Sequence, residues 1–285
     1  MLGNVAGKTI GLAPEANIVL VKYNDGRGYF GHGIIPALFD GLLKVYDHVK
    51  SQRPTTNCIL NMSLGWTKDW FEHLHEANGF WGEDGARLIE EAFANILEEI
   101  LEGLAQLPNL IWAVSAGNLD PHHPIKQYPA LLADDKFFDK KMVVVGAYDH
   151  RTGKNFLQSS DFVHVWAPGK AVNVPCPAKR AGPEHYQREK GLCHVDGTSP
   201  AAAMVSGMLA SWLSAGIKID EVIEHMYGNA YPRVENGVRA LYNGVPIEKW
   251  PEAEKPAWYK NGDSPPLPPD SYSFQHSRSP AAEKI

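Results

Sequence analysis

The chain has 285 residues, 44% of them hydrophobic, and a formal charge of -6 from 27 basic and 33 acidic side chains. That length holds one large domain or two small ones, with enough apolar residues for a sizeable core. The charge balance gives no clustered basic face for nucleic acid. No apolar run reaches membrane-spanning length, and no secretory signal is visible. Three cysteines, Cys58, Cys176 and Cys193, exclude a disulfide-dense scaffold. Cys58 reads as a buried free thiol in a strand. Cys176 and Cys193 bracket a polar insertion and are either bonded or both free.

In chain order, residues 16 to 23, "ANIVLVKY", predict a strand, followed by the turn "NDGRG". From Gly33 to Val49 the apolar spacing predicts a helix, with Pro36 in its first turn. Residues 57 to 62 predict a second strand. Residues 66 to 82, "WTKDWFEHLHEANGFWG", read as a long aromatic-rich loop. Residues 84 to 105 predict the clearest helix, with an apolar stripe from Leu88 to Leu104. Its acidic face, including Glu90, Glu91, Glu98, Glu99 and Glu102, reads as solvated. Strands follow at 109 to 115, 141 to 148 and 162 to 166. Helices follow at 199 to 213 and 220 to 226. Strands alternating with helices and buried on both faces imply an α/β fold with a mostly parallel sheet. Residues 1–248 form the domain, and 249–285, rich in Pro and Ser, read as a disordered tail. The histidine pairs His73/His75 and His122/His123 read as surface residues, because two ligands do not make a zinc site.

The chemistry concentrates in four short motifs. In "DGTSP", Ser199 opens a helix of small residues, so its N–H is an unpaired donor at the positive end of the helix dipole. "VSAGN" (114 to 118) ends a strand and projects the Asn118 amide, a side chain suited to donate to an oxyanion. "NMSLG" (61 to 65) ends another strand, and its Ser63-Leu64-Gly65 backbone can pair with an extended peptide. "APG" (167 to 169) follows a further strand. Singly, each motif has a plain structural reading: an N-cap serine, a turn asparagine, strand ends.

In this order the four resemble the subtilisin-like serine proteases (subtilases). "GLAPEANIVLVKYND" (11 to 25) and "VVVGAYDHRTGKNFLQSS" resemble further family stretches, and the likeness covers about residues 5 to 248. It implies a three-layer subtilisin-like fold and a serine endopeptidase. Ser199 is then the nucleophile and Asn118 the oxyanion-hole amide. Ser63, Leu64 and Gly65 form one wall of the primary specificity pocket, and Ser115, Ala116 and Gly117 the other. Gly28, in "DGRG", falls on the edge segment that binds substrate backbone. The resemblance also implies polypeptide substrates and a secreted or endomembrane location; calcium sites occur in many members, and no ligand set is assignable here. A monomer is expected. Two departures stand out. Pro200 follows the serine at once, and Ala203 stands where the family has proline. Asn61-Met62-Ser63 is formally a glycosylation sequon, but in a buried strand it is expected to stay unmodified.

The family orders its triad Asp, His, Ser, with the histidine in H-G-T shortly before GVAP. No H-G-T occurs in this chain, and "MLGNVAGKTIGLAPEA" reads like the helix that follows it. The expectation is a fragment lacking the N-terminal strands, with the base and its orienting acid upstream of Met1. The family places the aspartate's strand between strands this chain retains, so its loss is expected to leave an opened ladder. The alternative expectation is a non-catalytic peptide-binding pseudoprotease.

Overall fold

A computed structural model describes residues 1–23, 34–78, 84–120, 123–134, 138, 140–157, 163–175, 192–234 and 238–241. The elements run α1 (Leu2–Ala6), α2 (Ile34–Ser51), β1 (Cys58–Met62), β2 (Trp66–Thr67), α3 (Lys68–Asn78), α4 (Gly85–Ala105), β3 (Leu110–Ser115) and β4 (Gln127–Tyr128). After a 3₁₀ turn come β5 (Met142–Asp149), β6 (Lys154–Asn155), β7 (Val165–Pro168), β8 (Val172–Pro175) and β9 (Leu192–Val195). The chain continues with α5 (Thr198–Ser214), α6 (Val222–Gly228), β10 (Ala230–Val234) and β11 (Val238–Leu241).

The main sheet has the order β1-β3-β5-β7-β11-β10, with β6 pairing β5. β1, β3, β5, β7 and β11 run parallel to one another, and among the described strands of this sheet β10 and β6 run antiparallel to them. β3 and the start of β5 are buried at every position, as a parallel sheet covered on both faces requires. Side chains alternate between the two faces with period two. Ile111, Ala113, Val143, Val145, Val165 and Ala167 face α5 and α6. Trp112, Val114, Met142, Val144 and Trp166 face α2 and α4. The result is a three-layer α/β fold.

The two faces differ in bulk. The α5 side carries mostly Ala and Val, and α5 answers with Ala201, Ala202, Ala203, Val205 and Gly207. Small residues on both partners let α5 lie close across β1, β3, β5 and β7. Pro200 and Ala203 are buried within it, and the helix runs unbroken, because proline is tolerated in a first turn. On the other side large rings fill the space: Trp66, Phe71 and Tyr128 each pack against Phe93 at 5.1 to 5.9 Å between centroids.

Three sequence expectations are corrected. Residues 68–78 are the helix α3 rather than loop. Trp70 and Phe71 are buried in the aromatic cluster, and that anchoring stabilises a turn-forming segment whose isolated propensity is ordinary. Residues 16–23 form no strand. Ile18, Val19, Leu20 and Val21 are exposed, Leu20 by 75%. A strand needs a partner edge, and among the described residues none pairs with this segment. Cys58 is free but only half-buried, for the same reason: it lies on the edge strand. Burial still pushes its thiol pKa up.

Boundaries moved modestly elsewhere. The strand expected at 162 to 166 runs Val165–Pro168, and Phe162 lies outside the described residues. Cys193 is disulfide-bonded; Cys176, the partner the sequence suggested, lies outside the described residues. So do Gly28 with the "DGRG" turn, His122 and the tail 249–285. No helix among the described residues is long and apolar enough to cross a membrane.

Candidate active site

The four motifs meet at the N-terminus of α5. β1, β3 and β7 are parallel, so their C-terminal ends lie on one side of the sheet. Ligand sites of open parallel sheets form on that side. The SLG segment follows β1, AGN follows β3, and APG ends β7. α5 begins there and runs back beneath the sheet.

Hydrogen bonds tie the motifs together pairwise. Gly197 N donates to Gly169 O at 2.8 Å, joining GTS to APG. Gly117 N donates to Thr198 Oγ1 at 3.1 Å, joining AGN to GTS. Ser63 Oγ donates to Ser199 O at 2.9 Å, joining SLG to GTS. Upstream, Asp196 accepts from Ala171 N at 2.8 Å and pairs with the Lys170 ammonium. The loop before the nucleophile candidate is therefore held from both sides. Gly197 sits at φ 147° and ψ 164°, a conformation that L side chains avoid. A Cβ there would also meet Asn118 Oδ1 at 3.3 Å.

Asn118 acts as a helix cap from another strand. Its Oδ1 accepts from Thr198 N at 2.9 Å and from Thr198 Oγ1 at 3.1 Å. Gly197 itself supplies no side-chain cap, so this amide satisfies one of the orphan donors of the helix start. With Oδ1 occupied by two donors, Nδ2 is the face of the amide turned to an approaching acceptor. Asn118 is exposed, Ser199 half-buried and Thr198 buried. Ser199 N lies in the first turn and has no intrahelical acceptor. The Asn118 amide and the Ser199 N–H thus both belong to the start of α5, at the positive end of its dipole.

Ser199 Oγ has a single contact among the described residues, to Ser63 O at 3.5 Å. That is long for an O–H···O bond, so the hydroxyl is not committed. No imidazole bonds to it among the described residues. Asn61, on β1, supports the wall beside it. Its Nδ2 donates to Ser63 Oγ at 3.0 Å, and its Oδ1 accepts from Ser206 Oγ of α5 at 3.1 Å. Sequence reading treated Asn61 only as a sequon residue. Its spacing of two from Ser63, on the same strand face, is the signal that was available. The engaged amide also leaves little of the sequon accessible.

The expected walls are adjacent. Ser115 Oγ donates to Leu64 O at 3.4 Å. Ser115, Ala116 and Gly117 are buried, while Ser63, Leu64 and Gly65 are half-buried. Gly28 cannot be placed with them, since it lies outside the described residues. No group of three or more His, Cys, Asp or Glu among the described residues could hold a metal ion.

The Subtilase family model matches residues 1–228. The chain belongs to the subtilase family. It is 25% identical over 245 residues to a subtilisin-like protease of Coccidioides posadasii, covering 85% of this chain and 49% of that protein. It is likewise 25% identical over 254 residues to Subtilisin-like protease 3 of Trichophyton tonsurans, covering 85% and 50%. The chain therefore spans about half the length of these subtilase relatives. The fold matches a cold-adapted subtilisin-like serine proteinase with a TM-score of 0.58 at 18% identity, covering 85% of this chain and 72% of that one. The three-layer architecture with a mostly parallel sheet is the subtilase fold.

Proposed function

We propose that the chain carries the nucleophile and oxyanion half of a subtilisin-like serine endopeptidase. Ser199 Oγ attacks the scissile carbonyl of a polypeptide, and the carbonyl oxygen takes up negative charge. Asn118 Nδ2 and Ser199 N donate to that oxygen, and collapse of the adduct expels the amine and leaves an acyl-enzyme on Ser199. The observation that supports this reading most is the Thr198–Asn118 pair of hydrogen bonds, which fixes the amide with its donor face outward beside the serine.

Attack requires a base to take the Ser199 proton. The chain offers no H-G-T, so the base and its orienting carboxylate are not assigned to it. By itself it would retain only the rate that binding and the oxyanion hole supply, about 10³–10⁴ over water. The substrate class is polypeptide, and a secreted or endomembrane location and a monomeric state go with the family reading. A fluorophosphonate probe on the purified chain tests the assignment. Slow labelling confined to Ser199, lost in Ser199→Ala and slowed about 10²-fold or more in Asn118→Ala, is expected. Rapid labelling of Ser199 would show that another base serves it. Labelling unchanged in Ser199→Ala would remove the nucleophile assignment.

A second reading is a peptide-binding pseudoprotease. It is favoured by the edge that β1 presents among the described residues and by the exposed apolar run from Ile18 to Val21, because a sheet edge accepts an added strand. A stable monomer that binds peptides without hydrolysing them would select it.

A further inference from the structure

We propose that Asn61 is a positioning residue for Ser199: its amide turns the Ser63 hydroxyl toward the Ser199 carbonyl and so fixes the backbone that carries the nucleophile. This rests on the protease reading above and deepens it.

Gly197, Thr198 and Ser199 are each tied to the end of a different strand. Gly197 N donates to Gly169 O, just past β7. Thr198 bonds to Gly117 N and to Asn118, just past β3. Ser199 O accepts from Ser63 Oγ at 2.9 Å, just past β1. The third tie differs from the others. Gly169 and Gly117 contribute backbone groups, whose direction the chain fixes, and the Asn118 oxygen is held by two donors. Ser63 contributes a hydroxyl, whose proton rotates to the acceptor that suits it. Two acceptors are within reach, Ser199 O at 2.9 Å and Asn61 Oδ1 at 3.4 Å, and one proton does not serve both.

Asn61 decides between them. Its Nδ2 donates to Ser63 Oγ at 3.0 Å, which engages the hydroxyl as an acceptor and leaves its proton for Ser199 O. The other end of the amide is satisfied from α5: Ser206 Oγ, 1% exposed, lies 3.1 Å from Asn61 Oδ1 and 2.9 Å from Ala202 O. Asn61 thus joins β1 to α5 at Ser206 directly and at Ser199 through Ser63, about two helical turns apart. A side-chain amide carries a donor and an acceptor on one planar group, and this relay uses both. Ser63 also meets the nucleophile a second time, through its carbonyl oxygen 3.5 Å from Ser199 Oγ. A displaced Ser63 is therefore felt at the nucleophile's side chain as well as at its backbone. Asn61→Asp probes the relay with little change of shape. A carboxylate accepts and does not donate, so the Ser63 proton turns to it in a charge-assisted bond. Ser199 O then loses its donor, while the Ser206 bond survives.

The test uses the full chain and a fluorophosphonate probe, with the saturating labelling rate at Ser199 read separately from the probe concentration that gives half that rate. Asn61→Asp is expected to lower the saturating rate about tenfold or more, with the half-saturating concentration little changed, because a misplaced nucleophile slows reaction rather than binding. Ser63→Ala removes the same bond and is expected to lose as much. The double variant is expected to lose no more than either single one, since both act through one hydrogen bond. Ser206→Ala removes a buried bond of Asn61 but leaves Ser63 its donor. It is expected to lower the urea midpoint while changing the labelling rate by no more than about twofold. Labelling of Asn61→Asp at the wild-type rate, multiplied losses in the double variant, or equal slowing in Ser206→Ala would each overturn the role of Asn61 and leave the nucleophile assignment standing. Should Asn61→Asp fail to fold by circular dichroism, Ser63→Ala decides alone, and a wild-type rate there overturns the relay. If the wild-type chain is not labelled at Ser199, the nucleophile assignment itself fails, and this inference with it.

Discussion

β1 and β3 are neighbours in one sheet, yet they live in different environments. Residue for residue they pair in register, and Ile59 lies directly opposite Ile111. Ile111 is fully buried, flanked on both sides by ladder and covered by α5. Ile59 has the same side chain on the same face but is only half-buried. Residues 16–23, rich in apolar side chains, form no strand. The difference shows where the sheet is covered among the described residues. From β3 inward the sheet is closed, and the motifs at its C-terminal end are locked to one another. Outward from β1, backbone and apolar groups face solvent that a parallel sheet ordinarily keeps covered.

The sharpest way to break the comparison is a pair of identical substitutions. Ile111→Ala should cost about 3–4 kcal/mol, within the range for burying a cavity in a packed core. Ile59→Ala should cost roughly half as much. Urea unfolding of both variants measures the contrast; equal losses would mean that β1 is covered in solution and the edge is not open.

A pH series probes the closed region. His164 precedes β7, and its Nδ1 accepts from Val144 N at 2.9 Å, so the ring is held neutral. Burial lowers its pKa to about 4 from an ordinary 6.5. The unfolded chain therefore takes up a proton near pH 6.5 that the native chain refuses until about pH 4. Stability contributed by the neutral ring is complete above pH 6.5 and is lost as the pH falls through that window. The full loss is about 3 kcal/mol. Unfolding free energies at pH 7.5 and 4.5 should show it, and His164→Gln should flatten the slope relative to the wild-type chain.

The smallest effect belongs to the open region. Leu20→Lys should change stability by no more than about 0.5 kcal/mol, because the side chain is three-quarters exposed. Its expected consequence is reduced self-association at high concentration, read by light scattering, since a charge on an exposed extended segment opposes strand addition. A destabilisation of 2 kcal/mol or more would show that Leu20 is packed in solution.

Much of the site was legible in the sequence because its motifs are local. Gly197, Thr198 and Ser199 carry their own backbone requirements, and AGN and SLG end strands that periodicity identifies. The structure brings those segments to one place, as the parallel strand order demands. What the sequence hid was pairwise. Asn118 reads as a turn residue until Thr198 is found beneath it, 80 residues on. Asn61 reads as a sequon residue until Ser63 and Ser206 are found at the two ends of its amide.

Sequence alone determined the alternation of strands and helices, the small-residue character of α5 and the short segments that follow β1 and β3 and open α5. These follow from periodicity, from glycine at positions of unusual φ, and from strand-end chemistry, all written within a few residues. Tertiary structure decided the rest. It turned 68–78 into a helix by giving Trp70 and Phe71 an aromatic core to enter. It denied 16–23 the status of strand, because a strand's hydrogen bonds belong to its neighbour and no neighbour pairs with it among the described residues. Propensity is carried by the segment itself, whereas pairing and burial are supplied by what lies across from it.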